Sequence, residues 1–267
     1  MRRAIPTRAL VRALPLLCLP LLASRASFAV ESRPPLPPEN AAVDPLAPEA
    51  TPPAAAALDL PLARGLGSAR VVPPRVAPEG GARVVVLLHG MCDEAAWMCD
   101  RVPREALGDR FVVCPRAPRA CRGGGALWSG GTERTREIVL ASLEALDARF
   151  GDGVETRRQV VLAGFSQGAY VAAAVATSAP GPFSELLLVG SRVSPAAVLL
   201  RANGVERVLL AAGEFDGARP DMTLAARVLD RAGMPARFVS LGRAGHSFAP
   251  SEAWLREALG WLARRGD

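Results

Sequence analysis

Half of the 267 residues are apolar, which is enough for one well-buried core, and the length allows one or two domains. The formal charge of +6 does not mark a nucleic-acid binder. Of the 32 basic residues, Arg2, Arg3, Arg8, Arg12 and Arg25 lie in the first 29 residues, where there is no acid, and the remaining 27 nearly balance 26 acids.

The N-terminus reads as an export signal over residues 1–29. Its arginines form a positive start, Leu14 to Ala23 is a short apolar run, and small residues at Ser24, Ala26, Ser27 and Ala29 suit cleavage. The run is broken by Pro15 and Pro20 and is short for a bilayer span, so the alternative of an uncleaved anchor is disfavoured. Membrane contact is then expected only in transit, and the mature protein is expected in a periplasm or outside the cell. Residues 30–80 follow as a Pro/Ala-rich linker. Twelve of the 24 prolines fall in 31–80, which predicts an extended, largely disordered segment whose last part, from about Leu58, drapes over the folded body.

From 81 to 267 the pattern is that of a catalytic domain. Six runs are apolar on both faces: Arg83–Leu88, Phe111–Cys114, Gln159–Ala163, Glu185–Val189, Arg207–Ala211 and Ala236–Leu241. Such runs suit strands covered on both sides, as in a parallel sheet. Helical patterns lie between them at Glu133–Arg149, Gln167–Thr177, Ala196–Ala202, Met222–Ala232 and Ser251–Arg264. The alternation predicts an α/β fold of three layers, a mostly parallel sheet with helices on both faces, and no insertion large enough for a lid domain.

Gly164-Phe165-Ser166-Gln167-Gly168 sits between a predicted strand and a predicted helix. A serine on so tight a turn is presented at the carboxyl end of the sheet, and the glycines let neighbouring chains pass closely. Its hydroxyl needs a base. Of the two histidines only His246 lies downstream of Ser166, in the chain order Ser, acid, His. Asp216 follows the fifth strand and is favoured as the acid over its loop neighbours Glu214 and Asp221. The backbone N–H groups of Gln167 and Met91 are expected to form an oxyanion hole. His89 is expected to fix the Met91 loop, and Trp128 is a candidate wall of an acyl pocket.

These segments, with Leu87-Leu88-His89-Gly90 and Cys114-Pro115-Arg116-Ala117-Pro118, resemble the phospholipase/carboxylesterase family of α/β-hydrolases, which includes acyl-protein thioesterases. The resemblance covers roughly 82–265. It implies hydrolysis of carboxylic esters, including thioesters or lysophospholipids, with a small-molecule or lipid-like substrate and neither metal nor organic cofactor. Two departures stand out: Met91-Cys92-Asp93 follows His-Gly where the family runs on with Gly-Asp, and Gly217-Ala218-Arg219-Pro220 follows Asp216. A serine peptidase of the same fold and a catalytically inactive binding module are the alternatives. Cys92, Cys99, Cys114 and Cys121 flank the predicted site and, in an exported protein, read as up to two disulfides with connectivity left open.

Overall fold

The computed structural model describes residues 56–76, 78 and 80–264. These belong to the second of two compact units, Thr51–Asp267. The expected signal (1–29) and the linker up to residue 55 lie outside the described residues.

Ten strands and seven helices make up the described chain: β1 (Leu58–Pro61), β2 (Ser68–Val72), β3 (Arg83–Leu88), α1 (Ala95–Asp100), α2 (Arg104–Leu107), β4 (Arg110–Pro115), β5 (Arg119–Ala120), β6 (Ala126–Leu127), α3 (Gly131–Phe150), β7 (Val160–Phe165), α4 (Gln167–Ser178), β8 (Phe183–Val189), α5 (Ala197–Ala202), β9 (Arg207–Ala212), α6 (Arg219–Arg231), β10 (Ala236–Ser240) and α7 (Glu252–Leu262). Eight strands form one sheet in the order β1-β2-β4-β3-β7-β8-β9-β10. β2 pairs antiparallel with β1 and β4, and every other neighbouring pair is parallel. β5 and β6 make a separate two-stranded hairpin.

The six doubly apolar runs are the six parallel strands β3, β4, β7, β8, β9 and β10. Their alternation splits the core into two layers. Val84, Val86 and Leu88 of β3, with Leu162, Leu188 and Leu210, pack beside Ile138 of α3, Ala172 of α4 and Met222 of α6. Val85 and Leu87, with Val161, Leu187 and Leu209, pack beside Met98 of α1, Leu107 of α2 and Leu259 of α7. Strands buried on both faces lose the polar alternation of a half-exposed sheet, which is why the sequence shows continuous apolar runs. Among the described residues no helix is long and apolar enough to cross a membrane.

The linker boundary at 80 needs correction. Residues 58–72 are not a drape over the body but two strands of the main sheet. Proline density hid them. Pro61 ends β1, the outermost strand, where a missing donor harms a ladder least. Leu60, Ala69 and Val71 enter one core layer and Val72 the other. Arg70 anchors the pair at the surface through Asp59 and Asp100, each at 3.0 Å. The helices α1 and α2 also went unpredicted; at six and four residues they are too short to show a period.

The four cysteines pair as Cys92–Cys121 and Cys99–Cys114, with Cα separations of 5.7 and 5.8 Å. The second bond lies inside the core, with both cysteines fully buried.

Candidate active site

The site is built at the carboxyl end of the parallel strands. β7 runs into Ser166, and α4 starts at the next residue. Ser166 has φ 52° and ψ −115°, a left-handed conformation that costs a non-glycine residue of the order of 1–3 kcal/mol. The turn is locked by its surroundings. The Ser166 N–H donates to the Val189 carbonyl at 2.9 Å. A Cβ on Gly164 would lie 2.2 Å from the Gly168 carbonyl oxygen. One on Gly168 would lie 2.0 Å from the Leu88 oxygen. Both positions therefore exclude any side chain, as the five-residue pattern led us to expect.

Ser166, His246 and Asp216 meet in one hydrogen-bonded chain. His246 Nε2 is 3.0 Å from Ser166 Oγ, and His246 Nδ1 is 3.0 Å from Asp216 Oδ2. A carboxylate only accepts, so Nδ1 carries the ring proton and Nε2 is left to accept from the serine hydroxyl. The Asp216 side chain is 4% exposed and that of His246 is 51% exposed, so the chain runs from a buried carboxylate to a wet hydroxyl. The second carboxylate oxygen of Asp216 accepts from the Ala218 N–H at 2.8 Å. Asp221 instead pairs with Arg192 at 3.4 Å, and Glu214 is exposed, so neither competes for the imidazole.

Several groups that hold this chain were not visible in the pattern. Gly190, at φ +60°, faces it: a Cβ there would come within 3.1 Å of Asp216 Oδ2 and 3.4 Å of His246 Cε1. A Cβ on Gly213 would lie 2.0 Å from the Ala244 oxygen, so the acid and histidine loops cross in backbone contact. The Phe165 ring sits 5.0 Å from the His246 ring and limits where the imidazole can swing. Sequence could have flagged Gly190, which directly follows the predicted strand Glu185–Val189; Gly213 lies two residues beyond the predicted strand Arg207–Ala211.

His89 is fully buried and both its ring nitrogens are used. The Ala117 N–H donates to Nε2 at 3.1 Å, so Nδ1 must hold the proton, and it donates to the Gly90 carbonyl at 2.8 Å. His89 therefore ties the His89-Gly90-Met91 loop to the Pro115-Arg116-Ala117-Pro118 turn. Burial pushes its pKa below the ordinary histidine value. Below about pH 6.5 the unfolded chain takes up a proton that the folded chain refuses, so stability falls as pH drops. A ring-carbon NMR titration of the folded protein is expected to show His89 still largely neutral at pH 6.5. Half-protonation at or above that pH would contradict this assignment.

Trp128, the candidate wall of an acyl pocket, is 4% exposed and belongs to the core. Its indole N–H donates to the His89 carbonyl at 2.9 Å. Its own backbone is gripped by the Gln167 side chain, which accepts from the Trp128 N–H at 3.0 Å and donates to the Trp128 carbonyl at 3.1 Å. Indoles are often placed by their single donor, and here that donor braces the loop that carries Met91. The Gln167 N–H lies in the first turn of α4, where a helix has no acceptor for it. Among the described residues, no acceptor meets the Met91 N–H. Met91, Tyr170 and Phe215, each within four residues of a site residue in the chain, are exposed at 62%, 48% and 67%. No group of three or more His, Cys, Asp or Glu among the described residues could hold a metal ion.

A hydroxyl bonded to an imidazole, itself oriented by a buried carboxylate, can attack an electrophilic carbon and pass its proton on as it does so. The comparisons agree with the fold beneath that arrangement. The alpha/beta hydrolase family matches residues 85–266, and the chain belongs to that family. No curated protein matches the sequence. Among solved structures, esterase PE8 is similar at 24% identity, covering 72% of this chain and 95% of its own, with a TM-score of 0.54. The substrate-bound fluorophosphonate-binding serine hydrolase F of Staphylococcus aureus is similar at 14% identity, covering 79% and 98%, with a TM-score of 0.57. Acyl-protein thioesterase 2 of Zea mays is similar at 21% identity, covering 73% and 96%, with a TM-score of 0.50. At these identities the likenesses show a shared α/β-hydrolase fold.

Proposed function

We propose that this protein is an exported serine hydrolase that cleaves carboxylic esters through an acyl-enzyme on Ser166. The observation that carries the reading is the hydrogen-bonded chain from Ser166 through His246 to Asp216. Ser166 Oγ attacks the ester carbonyl carbon as His246 Nε2 takes its proton. Asp216 stays ionised and stabilises the imidazolium. The carbonyl oxygen, now negative, accepts from the N–H groups of Gln167 and Met91. Collapse breaks the carbon–oxygen bond, and the leaving alcohol takes the proton from His246. Water then attacks the acyl-enzyme by the same steps in reverse order of partners, releasing the acid and free Ser166.

Structural likeness to an esterase and a thioesterase supports ester or thioester chemistry. The apolar side chains of Met91, Tyr170 and Phe215 suit an apolar acyl or alcohol group at the mouth. Export rests on the signal read in 1–29, with residues from 30 to about 57 as the linker to a catalytic domain. The two disulfides are compatible with an oxidising compartment. A series of p-nitrophenyl esters of increasing acyl length, run beside peptide substrates, tests the reading. Turnover of esters with none of peptides is expected; the reverse would overturn it.

A further inference from the structure

We infer that the Cys92–Cys121 disulfide is a positioning element of the oxyanion hole, holding the Met91 amide at its distance from the Gln167 amide. The inference rests on the reading of the site given above.

The Met91 loop is held by different means on its two sides. Before it, His89 is fixed through both ring nitrogens and through its carbonyl. After it, the turn itself is closed by one long bond, from the Asp93 N–H to the Gly90 carbonyl at 3.3 Å. The Met91 side chain is mostly exposed and packs against little. Cys92 has φ +58°, a left-handed conformation that a non-glycine residue holds only when its surroundings impose it.

Those surroundings are the small β5–β6 hairpin. Cys92 is bonded to Cys121. The Asp93 carbonyl accepts from the Ala126 N–H at 3.0 Å, and Glu94 Oε1 accepts from the Gly125 N–H at 2.8 Å. A Cβ on Gly125 would lie 2.2 Å from the Cys92 oxygen, so loop and hairpin touch backbone to backbone. β5 and β6 pair over only two residue pairs, too few to be rigid alone.

The hairpin continues directly into Trp128, and Trp128 is the residue whose backbone the Gln167 side chain grips. One short unit thus reaches both donors: Met91 through the Cys92–Cys121 bond, and Gln167 through Trp128. Opening the disulfide removes the covalent part of that link and lets the Met91 amide drift. A donor displaced from the oxyanion costs turnover and leaves ground-state binding largely alone. Cys99–Cys114 joins α1 to β4 inside the core and does not bond the hairpin to the Met91 turn, so it serves as the control.

The test compares wild type, Cys92→Ala/Cys121→Ala and Cys99→Ala/Cys114→Ala by kcat and KM on a short p-nitrophenyl ester and by Tm. Both double variants are expected to lose Tm, since each disulfide restrains the unfolded chain. Only Cys92→Ala/Cys121→Ala is expected to lose kcat, by about 10–100-fold with KM within about twofold. Folded wild type gives a second route that needs no variant. Cys92 is exposed while Cys99 and Cys114 are fully buried, so mild dithiothreitol opens the first bond before the second. The kcat should fall as one disulfide opens, with circular dichroism unchanged, and return on reoxidation. Full kcat with Cys92–Cys121 open, or equal kcat losses in the two variants, would overturn the proposal alone. A folded wild type that hydrolyses no ester would overturn the site reading and this proposal with it.

Discussion

Ser166→Ala is expected to lower ester turnover by about 10⁴–10⁶-fold while leaving the fold and Tm nearly unchanged. The side chain is half-buried and its hydroxyl has one partner, His246 Nε2, so its loss leaves no deeply buried group unpaired. Asp216→Asn should cost about 10⁴-fold for a different reason. The carboxylate accepts from both His246 Nδ1 and the Ala218 N–H. An amide in its place can satisfy one donor and must point its NH₂ at the other, which favours the wrong tautomer of the imidazole. His246→Ala removes the base itself. A fall of less than tenfold in that variant would mean that another group accepts the serine proton.

Gly168→Ala carries the largest expected cost to stability. Helix propensity alone favours alanine by about 1 kcal/mol. Space decides the other way: the new methyl carbon would sit 2.0 Å from the Leu88 oxygen and 2.7 Å from the His89 oxygen, both backbone atoms on a buried strand end. α4 must move off β3 by of the order of an ångström, at a cost of about 3 kcal/mol or more. Tm should fall by roughly 6–12 °C, and turnover with it, because Ser166 moves with the helix. Gly260 is the control. It lies within α7 with nothing inside 4 Å of an added Cβ, so Gly260→Ala should be neutral or slightly stabilising. Equal Tm for the two alanine variants would contradict the close crossing at Gly168.

The parts of this site legible in the sequence are those fixed by chain order and chemistry. The Gly-Phe-Ser-Gln-Gly turn could be placed because a doubly apolar strand precedes it and small helical residues follow. His246 stood out because only one histidine lies downstream of Ser166. Asp216 has two rivals close by in the sequence, and what separates them is tertiary: the His246 Nδ1 contact at 3.0 Å, the burial of Asp216, and the salt bridge of Asp221 to Arg192 from the first turn of α6. An aromatic near a site, such as Trp128, reads equally as pocket wall or as brace. The reach of its indole to the His89 carbonyl is a tertiary fact. The grip of Gln167 on the Trp128 backbone joins positions 39 residues apart and leaves no local pattern. β1 and β2 were hidden for the opposite reason: their neighbourhood is so rich in proline that a true edge strand read as linker. Disulfide pairing among four cysteines is undetermined by spacing, and the fold chose it by bringing the hairpin to the Met91 loop.

The most direct measurement of the central claim is labelling of the folded protein with a fluorophosphonate, read by intact mass and peptide mapping. One adduct per chain, on Ser166, absent from Ser166→Ala and from the heat-unfolded chain, is the predicted result. No adduct on the folded wild type, or an adduct at a residue other than Ser166, would contradict the account.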